Sequence, residues 1–108
     1  MISIEEFKKL EIKIGKILSV EKIPETEKLL KLSVDLGEES PRQIISGIAP
    51  FFENTEILVG KKCAFASNLE PRVIKGFESQ GMILAVGEVG NFSLLEVSES
   101  IVAGSAVK

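Results

Sequence analysis

Alternation of apolar and polar residues organises most of this chain. From Leu10 to Val20, the residues Leu10, Ile12, Ile14, Leu18 and Val20 share one face while Glu11, Lys13 and Ser19 take the other, which predicts a long half-buried strand. Gly15 interrupts it. A glycine inside a strand marks a bulge or a sharp bend, as where a sheet curls to close a barrel, so Lys16 and Ile17 are expected to exchange faces. The turn-prone stretch Ile23 to Lys28 leads into strict alternation, with Leu30, Leu32, Val34 and Leu36 inward and Lys31, Ser33 and Asp35 outward. Gly37 to Pro41 is turn chemistry, so Arg42 to Gly47 should return antiparallel as a third strand anchored by Ile44 and Ile45.

The rest of the chain extends this meander. Ala49 to Glu53 contains Pro50 and two Phe residues; it suits a helical turn packing its aromatics beneath a barrel, after which Val59 to Ala66 resumes as a strand. Met82 to Val86 is a continuous apolar run, expected as a strand buried on both sides, and Phe92 to Val97 should pair with it across Gly87 to Asn91. At the start, Ser3 and Glu6 stand at capping-box spacing and Ile2 and Phe7 at staple positions, which predicts a short helix from Ile4 to Lys9. Close-spaced strands, a helical turn between the third and fourth, and no βαβ rhythm imply an all-β protein: a five-stranded OB-fold barrel with a short N-terminal helix. With 108 residues the chain holds one such domain, residues 1–108, and no internal repeat or linker divides it.

Composition narrows the chemistry. Apolar residues make up 44% and charged residues 27%, the mixture of a folded globular domain. Thirteen Lys and Arg face sixteen Asp and Glu, a net charge of -3, so a polyanion partner would need a local basic patch rather than the field of the whole molecule. There is no His, which removes Ser/His/Asp and Cys/His relays and His-ligated zinc. Cys63 is single and sits in the apolar run Cys63-Ala64-Phe65-Ala66, the setting of a buried structural thiol. The sequence therefore implies no enzyme, no cofactor and no metal site. No segment approaches the roughly 18 apolar residues of a membrane span, and the N-terminus lacks a basic leader. A cytoplasmic protein is expected, and Met1 directly before the capping helix reads as a natural start.

Short motifs add little. At Gly60-Lys61-Lys62 a phosphate loop fails twice: Thr55 stands where the first Gly should be, and Lys62 where Ser or Thr should be. Gly87 to Gly90 is a hairpin turn, and the acidic pairs Glu5-Glu6 and Glu38-Glu39 read as solvated surface. The informative segment is Asn68 to Met82. It gathers amide, guanidinium, ammonium and hydroxyl donors with Pro71, Gly76 and Gly81 in a loop between strands, and such donors on a rigid barrel suit phosphate and sugar contacts.

Several stretches in order resemble one family: Ile12-Lys13-Ile14-Gly15-Lys16-Ile17, Val34-Asp35-Leu36-Gly37, and Pro41-Arg42-Gln43-Ile44-Ile45-Ser46-Gly47. They continue through Asn68-Leu69-Glu70-Pro71-Arg72 and Gly76-Phe77-Glu78-Ser79-Gln80-Gly81-Met82. This series is similar to the tRNA-binding domain found as a free-standing dimeric tRNA-binding protein, as an export-related chaperone, and at the C-terminus of methionyl-tRNA synthetases. A related domain occurs in the endothelial monocyte-activating polypeptide.

The resemblance implies an OB-fold homodimer that binds tRNA by shape and backbone, acting alone or as a trans-acting companion of methionyl-tRNA synthetase in aminoacylation. It also implies a second reading, a chaperone or assembly module that holds unfolded polypeptide. Carried over residue by residue, the tRNA-binding positions fall on Lys13, Arg42, Asn68 and Ser79, with Arg72, Lys75 and Met82 completing the surface. A dimerisation extension would occupy residues 94–108, where Leu94, Leu95, Ile101 and Val102 give apolar area that a monomer would leave exposed. Family members commonly have Lys between the Leu and Pro of the Asn-Leu-Lys-Pro motif; here Glu70 replaces that cation with an anion.

Overall fold

A computed structural model describes every residue from Met1 to Lys108. At the N-terminus the capping box forms: the Ser3 hydroxyl accepts from the Glu6 amide at 3.1 Å, and the Ser3 amide donates to the Glu6 carboxylate at 3.3 Å. The helix α1 (Ile4–Phe7) is one turn long, shorter than the sequence predicts. None of its residues is buried, so no packing carries it past the capped turn.

Five antiparallel strands make the barrel: β1 (Ile12–Lys22), β2 (Leu30–Asp35), β3 (Arg42–Ser46), β4 (Lys62–Ala66) and, after the hairpin strands β5 (Arg72–Ile74) and β6 (Phe77–Ser79), β7 (Met82–Ile83). Their order across the sheet is β3-β2-β1-β4-β7, with a 3-10 turn at Ala49–Phe51 between β3 and β4, as an OB barrel requires. Residues Leu30, Leu32 and Val34 of β2 point inward and are completely buried, while Lys31, Ser33 and Asp35 line the outer face. Phe51 and Phe52 pack on Phe92 from that 3-10 turn, the first stacked at 4.0 Å between ring centroids and the second edge-on at 5.8 Å.

Gly15 plays a different part from the one its position suggests. The irregularity in β1 lies at Leu18, skipped between the pairs Ile17 with Val34 and Ser19 with Ser33. Ile17 is therefore fully buried, as the exchange of faces requires, whereas Leu18, expected inward, is 41% exposed. Gly15 itself faces the core. A Cβ placed there would stand 2.6 Å from Val34 Cγ1 and 2.9 Å from both Leu36 and Phe65, so its missing side chain is what lets β2 and β4 close over β1.

Two further expectations shift. β4 begins at Lys62, because Asn54 caps a second 3-10 turn, Thr55–Leu58, and Gly60 reverses the chain at a left-handed φ of +91°. The apolar run Met82 to Val86 is split rather than one buried strand. Ile83 pairs with Phe65 of β4; the chain then departs into a hairpin of β8 (Ala85–Glu88) and β9 (Asn91–Leu94) that leaves Val86 exposed. Beyond it, Leu95 and Val97 bond to β4, and residues 104–107 bond to the start of β1. Leu94 is buried in the core of its own chain, so the exposed apolar area expected of it is absent; Leu95, Ile101 and Val102 stay at the surface. Cys63 is fully buried, and burial pushes its thiol up to about 11, leaving no thiolate. No helix is long and apolar enough to cross a membrane.

Gly15→Ala should lower stability by about 1–3 kcal/mol through overpacking. Gly47→Ala, where an added Cβ meets nothing within 4 Å, should change it by less than about 0.5 kcal/mol. Urea midpoints of the two variants against the parent check the contrast.

Candidate nucleic-acid interface

The segment read as a polar loop is a hairpin lashed to the barrel at both ends. Arg72 pairs with Ser79, Val73 with Glu78 and Ile74 with Phe77, and the two turn residues Lys75 and Gly76 have φ of 52° and 83°. A two-residue turn with both centres left-handed matches the twist of the strands it joins. The X-Gly pair between two β-prone triplets was the available signal; Lys in place of Asn or Asp hid it.

At the hairpin's near end, Asn68 is committed to the entrance of β1. Its side-chain oxygen accepts from the Glu11 amide at 2.7 Å and its nitrogen donates to the Lys9 carbonyl at 2.7 Å. At the far end, residues 78–80 are stitched to β3. The Ser79 hydroxyl, buried, accepts from the Ile45 amide at 3.0 Å and donates to the Gly81 carbonyl. Gln80 exchanges bonds with the Gln43 backbone, accepting at 2.9 Å and donating at 2.8 Å, while the Gln43 side chain donates to the Glu78 carbonyl.

Arg42 ties the two ends together. Its Nη1 donates to the carbonyls of Ser67 and Gln80, and its Nε and Nη2 grip both oxygens of Glu38 at 2.8 and 2.6 Å. The hydrogen bond from Arg42 holds the Glu38 carboxyl below the usual carboxylate range, with Lys13 adding to the effect through its charge. Glu38, expected as solvated surface, is thus half of a bidentate pair.

Of the seven positions expected to bind tRNA, Arg42, Asn68 and Ser79 spend their polar atoms inside the chain. Lys13 is paired with Glu11 at 3.4 Å. Arg72 and Lys75 stand exposed on the hairpin with no carboxylate within ion-pair distance, and Met82 is exposed beside them in sequence on β7. The sequence reading did not single out Lys31, Ser33 and Gln43, which the fold brings to the candidate face. They line a polar groove of about 340 Å³ on the outer face of β2 and β3, with Ser19, Glu21 and Arg42 at its sides. Their signal was the outward half of the alternation, which does not separate a binding face from ordinary surface. Such a face offers cations, hydroxyls and amides to phosphate and sugar oxygens.

The Glu38 pair gives a pH signature. Its carboxyl is lowered in the fold relative to the ordinary 4.5, so its stabilisation is complete above that value and is lost as pH falls through the folded value. Glu38→Gln should cost up to about 1 kcal/mol at neutral pH, solvent screening included, and the gap to the parent should close as pH falls below 4.5. Thermal melts of both proteins across pH check it.

Residues 12–106 match the family model described as "Putative tRNA binding domain". The methionine–tRNA ligase of Methanospirillum hungatei is 52% identical over 107 residues, 99% of this chain and 16% of the ligase. That of Helicobacter pylori strain J99 is 48% identical over 106 residues, 98% of this chain and again 16% of the enzyme. The chain thus spans about one sixth of the length of these curated relatives. Among solved structures, a MetRS-related protein from Pyrococcus horikoshii superposes with a TM-score of 0.91 at 39% identity, covering 100% of this chain and 98% of that one. The chaperone CsaA from Bacillus anthracis superposes at 0.85 and 28% identity, covering 100% and 99%. With its barrel and nearly all of its sequence accounted for in this way, the chain belongs to the tRNA-binding domain family.

Proposed function

We propose that this chain is a non-catalytic module that binds folded tRNA by shape and backbone charge, works as a homodimer in the cytoplasm, and serves methionyl-tRNA synthetase in trans. The observation that carries the reading is the hairpin: Arg72 and Lys75 are unpaired cations on a strand pair whose two ends are fixed to the barrel by Asn68, Arg42, Gln43 and Gln80. Cations held in place this way meet phosphates without first losing the freedom of a mobile loop. The ligase relatives and the MetRS-related neighbour support the partner. Exposed Leu95, Val97, Ile101 and Val102 support the dimer, since a second copy would cover them. Two linked barrels would raise the affinity of a weak site where both reach one RNA.

A second reading has its own observation. Ile4, Phe7, Leu10, Ile12 and Val107 line a mostly apolar cleft of about 370 Å³ between α1 and the C-terminus, which suits an unfolded polypeptide, and CsaA is a chaperone of the same fold. Suppression of aggregation of a model unfolded protein, without tRNA affinity, would decide for it.

Titration of folded tRNA across salt concentrations tests the first reading. Arg72→Ala and Lys75→Ala should each weaken binding and reduce the slope of log affinity against log salt by about one, and Glu70→Lys should steepen it by about one. Sedimentation of the same samples should give a dimer that Val102→Asp converts to a folded monomer. Absence of tRNA binding by the parent at low salt contradicts the reading.

A further inference from the structure

A second cavity on the proposed RNA face lies between the β1–β2 connection and the tip of the hairpin. It measures about 360 Å³, at the small end of the roughly 300–1,000 Å³ of ligand pockets, and is lined by Ile23, Pro24, Glu25, Lys75 and Phe77. Four observations bear on what it could hold. Phe77 is the one aromatic residue here: Phe65 lies in the core, Phe51, Phe52 and Phe92 stack on one another, and Phe7 belongs to the N-terminal helix. Trp and Tyr are absent from the chain, so the stacking capacity of this face rests on Phe77 alone. Lys31, paired with Glu21 at 3.2 Å in the polar groove on β2 and β3, holds its ammonium over the Phe77 ring, 5.2 Å from the centroid, so the aromatic wall of the cleft adjoins the groove. Glu25 and Lys75, at φ of 68° and 52°, are the chain's two non-glycine residues in left-handed backbone, and both line this cleft.

We infer that the cleft takes one unpaired nucleobase of the bound RNA, stacked on the face of Phe77 away from Lys31 and flanked by Ile23 and Pro24, with the adjoining phosphate on the unpaired Lys75; this rests on the tRNA-binding reading above. An aromatic face beside apolar walls, with the Lys75 cation at the rim, matches a base and its neighbouring phosphate better than it matches a paired helix, whose bases are shielded in their stack. Glu25 supplies an acceptor at the cleft for the amino edge of cytosine, adenine or guanine. The module then combines two kinds of contact: phosphates and sugars track the polar groove and hairpin, and a single extruded base fixes the register. That distinguishes a folded RNA with a splayed base from a uniform duplex.

Phe77→Trp supplies the test, because it makes the only indole in the chain. Indole emission should be quenched by tRNA and by an RNA hairpin with an unpaired loop, and remain unchanged with a fully paired RNA duplex that binds at low salt. Phe77→Ala should weaken tRNA binding by about 5- to 150-fold with an unchanged salt slope and an unchanged melting temperature, since stacking neither releases counterions nor touches the core. Where the tryptophan variant binds tRNA with unaltered emission, or the duplex quenches equally, the base site is overturned while tRNA binding stands. Response of the indole to an unfolded polypeptide and not to RNA overturns it in favour of a peptide cleft. Failure of the parent to bind tRNA at all removes both claims.

Discussion

The structure depends on how its barrel is closed. A five-stranded sheet in the order β3-β2-β1-β4-β7 leaves the outer edges of β3 and β7 facing each other, and β7 is only two residues long. A backbone ladder cannot fill that seam. One backbone bond, from the Gln80 amide to the Gln43 carbonyl, and several side chains do it instead: the Ser79 hydroxyl serves the Ile45 amide, the Gln80 side chain serves the Gln43 amide, and the Arg42 guanidinium joins the carbonyls of Ser67 and Gln80. Each bond contributes a net stabilisation of about 0.5–1.5 kcal/mol, but leaving such a group buried and unmade costs about 1–3 kcal/mol, so the arrangement is held mainly by the cost of its alternatives. No buried side-chain polar atom lacks a partner. The hairpin of β5 and β6 grows directly out of this seam. Closing the barrel therefore also sets where Arg72, Lys75 and Phe77 stand.

The same geometry reconciles an acidic chain with the proposed polyanion partner. The net charge of -3 is an average over a surface in which several charges cancel locally. On the candidate face, Glu38 is neutralised by Arg42 and Glu21 by Lys31, so neither acid opposes a phosphate with a full free charge. What remains unpaired on the hairpin is cationic at Arg72 and Lys75, partly offset by Glu70 and Glu78 nearby in sequence. In the proposed tRNA complex so small a surplus would give modest, salt-sensitive affinity, with discrimination left to shape and to the proposed aromatic contact.

The barrel was legible in the sequence wherever one face of a strand is buried and the other wet. β2 alternates without a fault because both neighbours in the sheet hold it in register. Legibility failed where one residue serves a third dimension. Gly15 looks like a bulge, yet the irregularity is at Leu18, because what Gly15 relieves is a side-chain collision from strands distant in sequence. The run from Met82 to Val86 reads as one strand, but Ile83 and Val86 belong to different sheets. The candidate site divides in the same way. Arg72 and Lys75, added to complete the expected surface, stand exposed on the hairpin. At Arg42, Asn68 and Ser79 the sequence names good donors without saying that backbone groups far along the chain already use them. Lys31, Ser33 and Gln43 were hidden by the ordinariness of polar residues on the outer side of a strand.

The central claim is that the outer face of β2 and β3, with the hairpin beside it, is where tRNA sits. Amide chemical-shift mapping of the isotope-labelled protein during a tRNA titration tests it most directly, since it reports every backbone position at once. The account predicts perturbations concentrated at Lys31 to Ser33, Gln43 and Arg72 to Phe77, leaving α1 and the C-terminal residues 104–108 unmoved. Perturbations confined to the apolar cleft between α1 and the C-terminus would contradict it.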